Sequence, residues 1–260
     1  MSHFTVAVFT TNGGLPVDKL LDPYDEAITV EPYVRHTKAE LIKQEREYVQ
    51  KAFDGSYAEW RKDPAKYEAK CTNPKHIEYL KTIPDRMQWT DEQVYQEAAK
   101  HYEESLNANG DVISTYNPKS KWDWYEIGGR WKDMLLLKNG SKCDEALVSE
   151  IDFEAMSERD AAKLMPYAEA VKKPCFVLGV EYKRKLFRDE AEYFRLNTTF
   201  ETWAVITPDG RWHSSGEMYM FAVTSATPEE QREWTLSYHE RFIKPAIEKG
   251  WHMTIVDCHI

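Results

Sequence analysis

Met253-Thr-Ile-Val-Asp-Cys-His-Ile260 reads as a β-strand: it is rich in β-branched residues and free of glycine and proline. Successive side chains of a strand point to opposite faces, so Asp257 and His259 share one face while Val256 and Cys258 share the other. His3 to Phe9 alternates in the same way, with His3 and Thr5 on one face. Strands at opposite ends of a chain invite pairing near the centre of a single sheet, and that pairing would gather His3, Asp257 and His259. Imidazole and carboxylate together suit a divalent metal such as zinc, manganese or iron, or a base with its orienting acid. The plainer alternative is a hydrogen-bonded sheet edge without chemistry.

Between the two strands the character of the chain changes twice. Leu20 to His36 carries Asp22-Pro and Glu31-Pro and reads as an irregular acidic loop. From 38 to 110 the composition turns to Glu, Lys, Gln, Ala and Tyr, a helical insert or small lobe within one α+β domain spanning 1–260. Thr37 starts its first helix, Asp63-Pro and Asn73-Pro interrupt it, and Thr90-Asp-Glu-Gln93 has the spacing of a capping box.

Strand and turn signals dominate the second half. Met134 to Leu137 ends at Asn139-Gly140, Ser157-Glu-Arg-Asp160 is spaced to cap a helix, and Cys175 to Tyr182 is a strong strand candidate. Thr202 to Thr207 followed by Pro208-Asp-Gly210 predicts a hairpin returning through His213. Thr227-Pro-Glu-Glu230 opens a helix whose apolar residues continue at helical spacing toward Gly250. Strand and helix do not alternate regularly, so the expected fold is α+β: a largely antiparallel sheet that includes both terminal strands, with helices packed on one side.

The stretch richest in chemistry is Trp122-Asp-Trp-Tyr-Glu-Ile-Gly-Gly-Arg-Trp131. Trp122, Trp124 and Tyr125 offer stacking surfaces, Gly128 and Gly129 permit close backbone approach, and Arg130 offers a planar fork of donors for phosphate or carboxylate. If the stretch is extended, Trp122 and Trp124 face one way and Asp123 and Tyr125 the other; if it is helical, Asp123 and Ile127 share a face and Trp122 lies near Glu126. These six ligand-binding candidates, with Asp123, Glu126 and His213 as candidate proton-transfer groups, suit a phosphorylated small molecule such as a nucleotide. The competing reading makes the tryptophans a core wall and pairs Arg130 with Asp123 or Glu126. The Gly-Gly pair lacks the spacing of a phosphate-binding loop.

Composition sets outer limits. The chain has 260 residues, 42% hydrophobic and 30% charged, with a formal charge of -10. That balance suits a globular protein and argues against non-specific wrapping of nucleic acid, which needs a basic surface. Its four cysteines are widely spaced and form no Cys-x-x-Cys pair. The apolar start is too short for a signal peptide, and no run approaches the ~18 residues of a membrane span. The cytoplasm is the expected location.

Met-Ser-His-Phe-Thr-Val at 1–6, the Trp122–Trp131 stretch, Val205-Ile-Thr-Pro-Asp-Gly-Arg-Trp212 with Gly216-Glu-Met218, and Arg241-Phe-Ile-Lys-Pro245 before Thr254–His259 resemble a family of uncharacterised proteins of tailed bacteriophages and prophages. The resemblance covers both ends and the middle and leaves out the helical insert. It implies action inside a bacterial host and transfers no catalytic residue. A non-catalytic protein that inhibits a host enzyme or defence component through the acidic insert is therefore the second expectation.

Overall fold

The computed structural model describes residues 2–102, 105–172, 176–177, 180–181, 187–219 and 223–260. The chain divides into two compact units, one formed by residues up to Ile28 together with Asn117–Ile260, the other by Thr29–Tyr116.

The first unit is built on a six-stranded sheet. Its strands are β1 (His3–Thr10), β2 (Trp124–Ile127), β3 (Glu145–Leu147), β4 (Ala204–Ile206), β5 (Trp212–Ser214) and β6 (His252–His259). The order is β5-β4-β1-β6-β2, with β3 also on β6, and only β1 and β4 run parallel. The two terminal strands pair antiparallel along their full length, from His3 opposite His259 to Thr10 opposite His252. The expected α+β architecture is therefore present, with both end strands inside the sheet.

Alternation sorts the core onto two faces. Ala7, Phe9, Met253 and Ile255 pack beneath Met156, Trp234, Tyr238, Phe242 and Ile243. These come from the helix Phe153–Ala161 and from the C-terminal helical run that begins at Pro228. Phe4, Val6, Val8, Val256 and Cys258 face the other way, covered by Leu20, Leu21, Tyr24 and Trp122. The longer helices thus lie on one side, and a five-residue helix, Val17–Leu21, with its following turn covers the other.

Several local signals hold. Thr227 caps its helix reciprocally with Glu230, and the run passes through a π-helical turn, His239–Ile243, just before Pro245, which has no N–H to donate. Gly250 follows with φ +64°. The Ser157 cap is corrected: Asp152 caps the helix, its carboxylate accepting from the Ala155 N–H at 2.9 Å, and Ser157 lies inside. Of the strand expected over Cys175–Tyr182, Phe176–Val177 pairs antiparallel with Val180–Glu181, and the remaining residues lie outside the described set.

The second unit holds the helical insert with wider bounds than expected, because Thr29–His36 is a strand paired with Val112–Tyr116. Pro32 is tolerated there because the ladder is irregular between Thr29 and Tyr33. Thr37 and Thr90 form capping boxes with Glu40 and Gln93, and Asp63 and Asn73 cap helices whose first residues are Pro64 and Pro74. Leu41, Tyr95, Ala98, Ala99 and Val112 form the core of this lobe. Among the described residues, no helix is long and apolar enough to cross a membrane.

Candidate functional site

At the end of the sheet where β1 begins and β6 ends, the face that carries Ala7 and Ile255 becomes polar. Strand register puts His3 opposite His259 and Thr5 opposite Asp257, all four on this face. On the other edge of β6, β2 sets Trp124 beside His259 and Glu126 beside Asp257. The sequence-predicted gathering of His3, Asp257 and His259 is thus realised by pairing of the terminal strands.

They meet as hydrogen-bonded pairs. His3 Nδ1 lies 2.8 Å from Asp257 Oδ1, and His259 Nδ1 lies 2.5 Å from Asp123 Oδ1. The two imidazoles are in edge contact, with ring centroids 5.0 Å apart. Trp124 stacks on His259 at 5.6 Å and 18°, and meets His3 edge-on at 5.5 Å. Its indole remains 43% exposed, whereas the side chain of Asp257 is only 2% exposed. Among the described residues, no group of three or more His, Cys, Asp or Glu side chains is arranged to hold a metal ion. Each imidazole instead spends its Nδ1 on one carboxylate, which fixes the ring and leaves Nε2 for other work.

That second nitrogen is the unusual atom of the site. His259 Nε2 is buried and has no hydrogen-bond partner among the described residues. A buried polar nitrogen without a partner costs about 1–3 kcal/mol, and a ligand or a water that reached it would remove that cost.

Gly128 and Gly129 shape the edge. β6 is flanked on this side by β2 and β3 in succession, and the gap between them is closed by Gly128 N–H donating to Ile255 O and Ile255 N–H donating to Asp144 O, both 2.8 Å. Gly128 has φ +72° and faces the Asp144 carboxylate; Gly129 has φ +47° and lies against Asp257. The turn then presents the Arg130 N–H to Asp257 Oδ2 at 3.0 Å, so this buried carboxylate receives two hydrogen bonds. The Arg130 side chain is exposed and, among the described residues, makes no ion pair, so the expected lock with Asp123 or Glu126 does not form.

The aromatic stretch does not act as one surface. A bend at Asp123 breaks the alternation, so Asp123 and Trp124 both serve the His259 side while Trp122 and Tyr125 meet at 5.1 Å on the opposite face. Trp122 is buried there in the core with Phe4, Leu20 and Cys258, with Tyr125 packed against them, so these two candidates leave the ligand set. Glu126 is exposed beside Asp257. His213 stands on β5 opposite Val205, with Thr207 Oγ1 at 3.2 Å and Phe242 packed on its ring, separated from β6 by β4 and β1. Burial, followed by the Arg241 charge, lowers its pKa.

Three contributors escaped the sequence. Thr5 Oγ1 accepts from the Trp203 N–H at 3.1 Å and ties β1 to β4 beside the site. Asp144 holds the glycine turn, its Oδ1 accepting from the Asp133 N–H at 2.5 Å. Glu201, just before β4, keeps Oε2 buried without a partner among the described residues, and burial pushes its carboxyl up to about 7. Alternation put Thr5 on the His3 face without revealing its bond to Trp203; the other two carry no local signal. Comparison with protein-family models, curated proteins and solved structures finds no match to the chain.

Proposed function

We propose that the sheet end formed by His3, Asp123, Trp124, Asp257 and His259 binds a phosphorylated small molecule bearing a planar ring, of the nucleotide type, and moves protons on it. The observation that carries this reading is His259: Asp123 holds one ring nitrogen, and the other is buried between two aromatic neighbours without a partner among the described residues. A fixed imidazole whose second nitrogen is not committed to a protein partner is the arrangement proton transfer requires. The exposed surface of Trp124 supports ring stacking, and the exposed guanidinium of Arg130, which makes no ion pair among the described residues and is rooted one backbone atom from the Asp257 contact, supports recognition of a phosphate. The phage setting, in the cytoplasm of a bacterial host, is supported by the sequence resemblance.

Calorimetric titration with nucleoside 5′-monophosphates and cyclic nucleotides tests the binding. Trp124→Ala and Arg130→Gln should each weaken affinity at least about tenfold. Trp212→Phe serves as the control. It alters a separate cavity of about 180 Å³ on the other face, lined by Phe4, Trp203, Trp212 and Met218. No binding, or affinity lost only in Trp212→Phe, would sink the proposal.

A further inference from the structure

We infer that the substrate of this site is a phosphodiester, and that His3 and His259 act as a proton acceptor and donor couple in displacement at its phosphorus. The inference rests on the ligand reading above and adds the bond that is broken.

The first ground is duplication. One imidazole–carboxylate pair is enough to orient a single base. Here two such pairs stand with their rings 5.0 Å apart, His3 on Asp257 and His259 on Asp123, so acceptor and donor are side by side. Displacement of an alkoxide from phosphorus needs both. One imidazole takes the proton of the attacking hydroxyl as the new O–P bond forms. The other, protonated, gives its proton to the departing alkoxide as the old P–O bond breaks. The net change is one proton passed from one histidine to the other, with no oxidant or reductant.

The second ground is that the thiol adjacent to the pair in sequence is turned away from it. Cys258 lies between Asp257 and His259 in sequence but points to the opposite face, buried against Phe4 and Val256, and burial raises its pKa. With Cys258 turned away, the attacking hydroxyl in this scheme is that of water or of the substrate itself, next to the phosphate.

Charge supplies the third ground. Asp123, Asp144 and Asp257 stand around this sheet end, Glu126 lies beside Asp257 in register, and Arg130 adjoins them. Such a surround repels a dianion more than a monoanion, which favours a diester, with its single charge, over a monoester.

The test uses two ribonucleoside 3′-phosphodiesters, a dinucleoside phosphate with a poor alkoxide leaving group and a p-nitrophenyl ester whose leaving group needs no proton. The intact protein should cleave both. His3→Gln and His259→Gln, checked for native circular dichroism, should each lose at least about 100-fold on the dinucleoside phosphate. The variant lacking the donor should recover to within about tenfold of the intact protein on the nitrophenyl ester, and the variant lacking the acceptor should not. Nucleotide binding without cleavage of either ester overturns this inference and leaves the binding proposal standing; absence of both overturns both. Two variants impaired alike on both esters, or not impaired, show that the histidines are not an acid–base couple.

Discussion

Gly129 lies so close to Asp257 that a methyl group on its Cα would stand 2.4 Å from Asp257 Cβ and 2.5 Å from Oδ2. The buried carboxylate that holds His3 is therefore seated against bare backbone.

Gly129→Ala should destabilise the protein by about 2–4 kcal/mol, combining the clash with the cost of φ +47° for a residue with a Cβ. Gly55→Ala, in the helical lobe, meets nothing within 4 Å and should be neutral or stabilising by up to about 1 kcal/mol. Urea unfolding measures both. Equal stability of Gly129→Ala and the parent would contradict the close approach.

Glu201 predicts a pH dependence of stability. Its carboxyl is raised by burial to about 7 from 4.5, so between those values the folded state binds a proton that the unfolded state has released. Stability on this account is greatest below pH 4.5, falls as pH rises toward 7, and stays low above it, the full effect being on the order of 3 kcal/mol. Glu201→Gln should melt higher than the parent at pH 8, and the advantage should vanish near pH 4.5. An advantage that is constant across this range would contradict the assignment.

The lobe should be separable. Thr29 pairs with Tyr116, so its two ends are neighbours. In the sheet unit, Glu26 N–H donates to Trp122 O at 2.9 Å and the Asn117 side chain donates to Asp25 O at 2.9 Å. Replacing residues 29–116 by a short Gly-Ser linker should leave a sheet unit that melts cooperatively, read by circular dichroism. Loss of cooperative melting would show that the sheet depends on the lobe.

Much of this was legible because strands and caps write themselves locally. The alternation of His3–Phe9 and Met253–Ile260 gave both strands, and the two-residue period then placed His3, Asp257 and His259 on one face. Thr90 and Thr227 announced their helices through reciprocal caps. In the aromatic stretch strict alternation fails at one residue: the bend at Asp123 returns its carboxylate to the Trp124 side, and a period-two rule cannot anticipate a bend. Thr29–His36 was hidden by Pro32, whose missing N–H is harmless only because the ladder is irregular there. Asp144 owes its role to Ile255, far away in sequence, and Glu201 owes its raised carboxyl to burial, which no local pattern signals.

The full-length pairing of β1 with β6 also bears on how the molecule is made. β1 leaves the ribosome well before β6, its central partner. Until then, Val6, Ala7, Val8 and Phe9, all wholly enclosed in the finished protein, belong to a nascent strand with an open edge. At about 5–20 residues per second, that wait is on the order of tens of seconds. Interrupted translation should therefore leave an aggregation-prone fragment, whereas the helical lobe, local in its contacts, can already have folded.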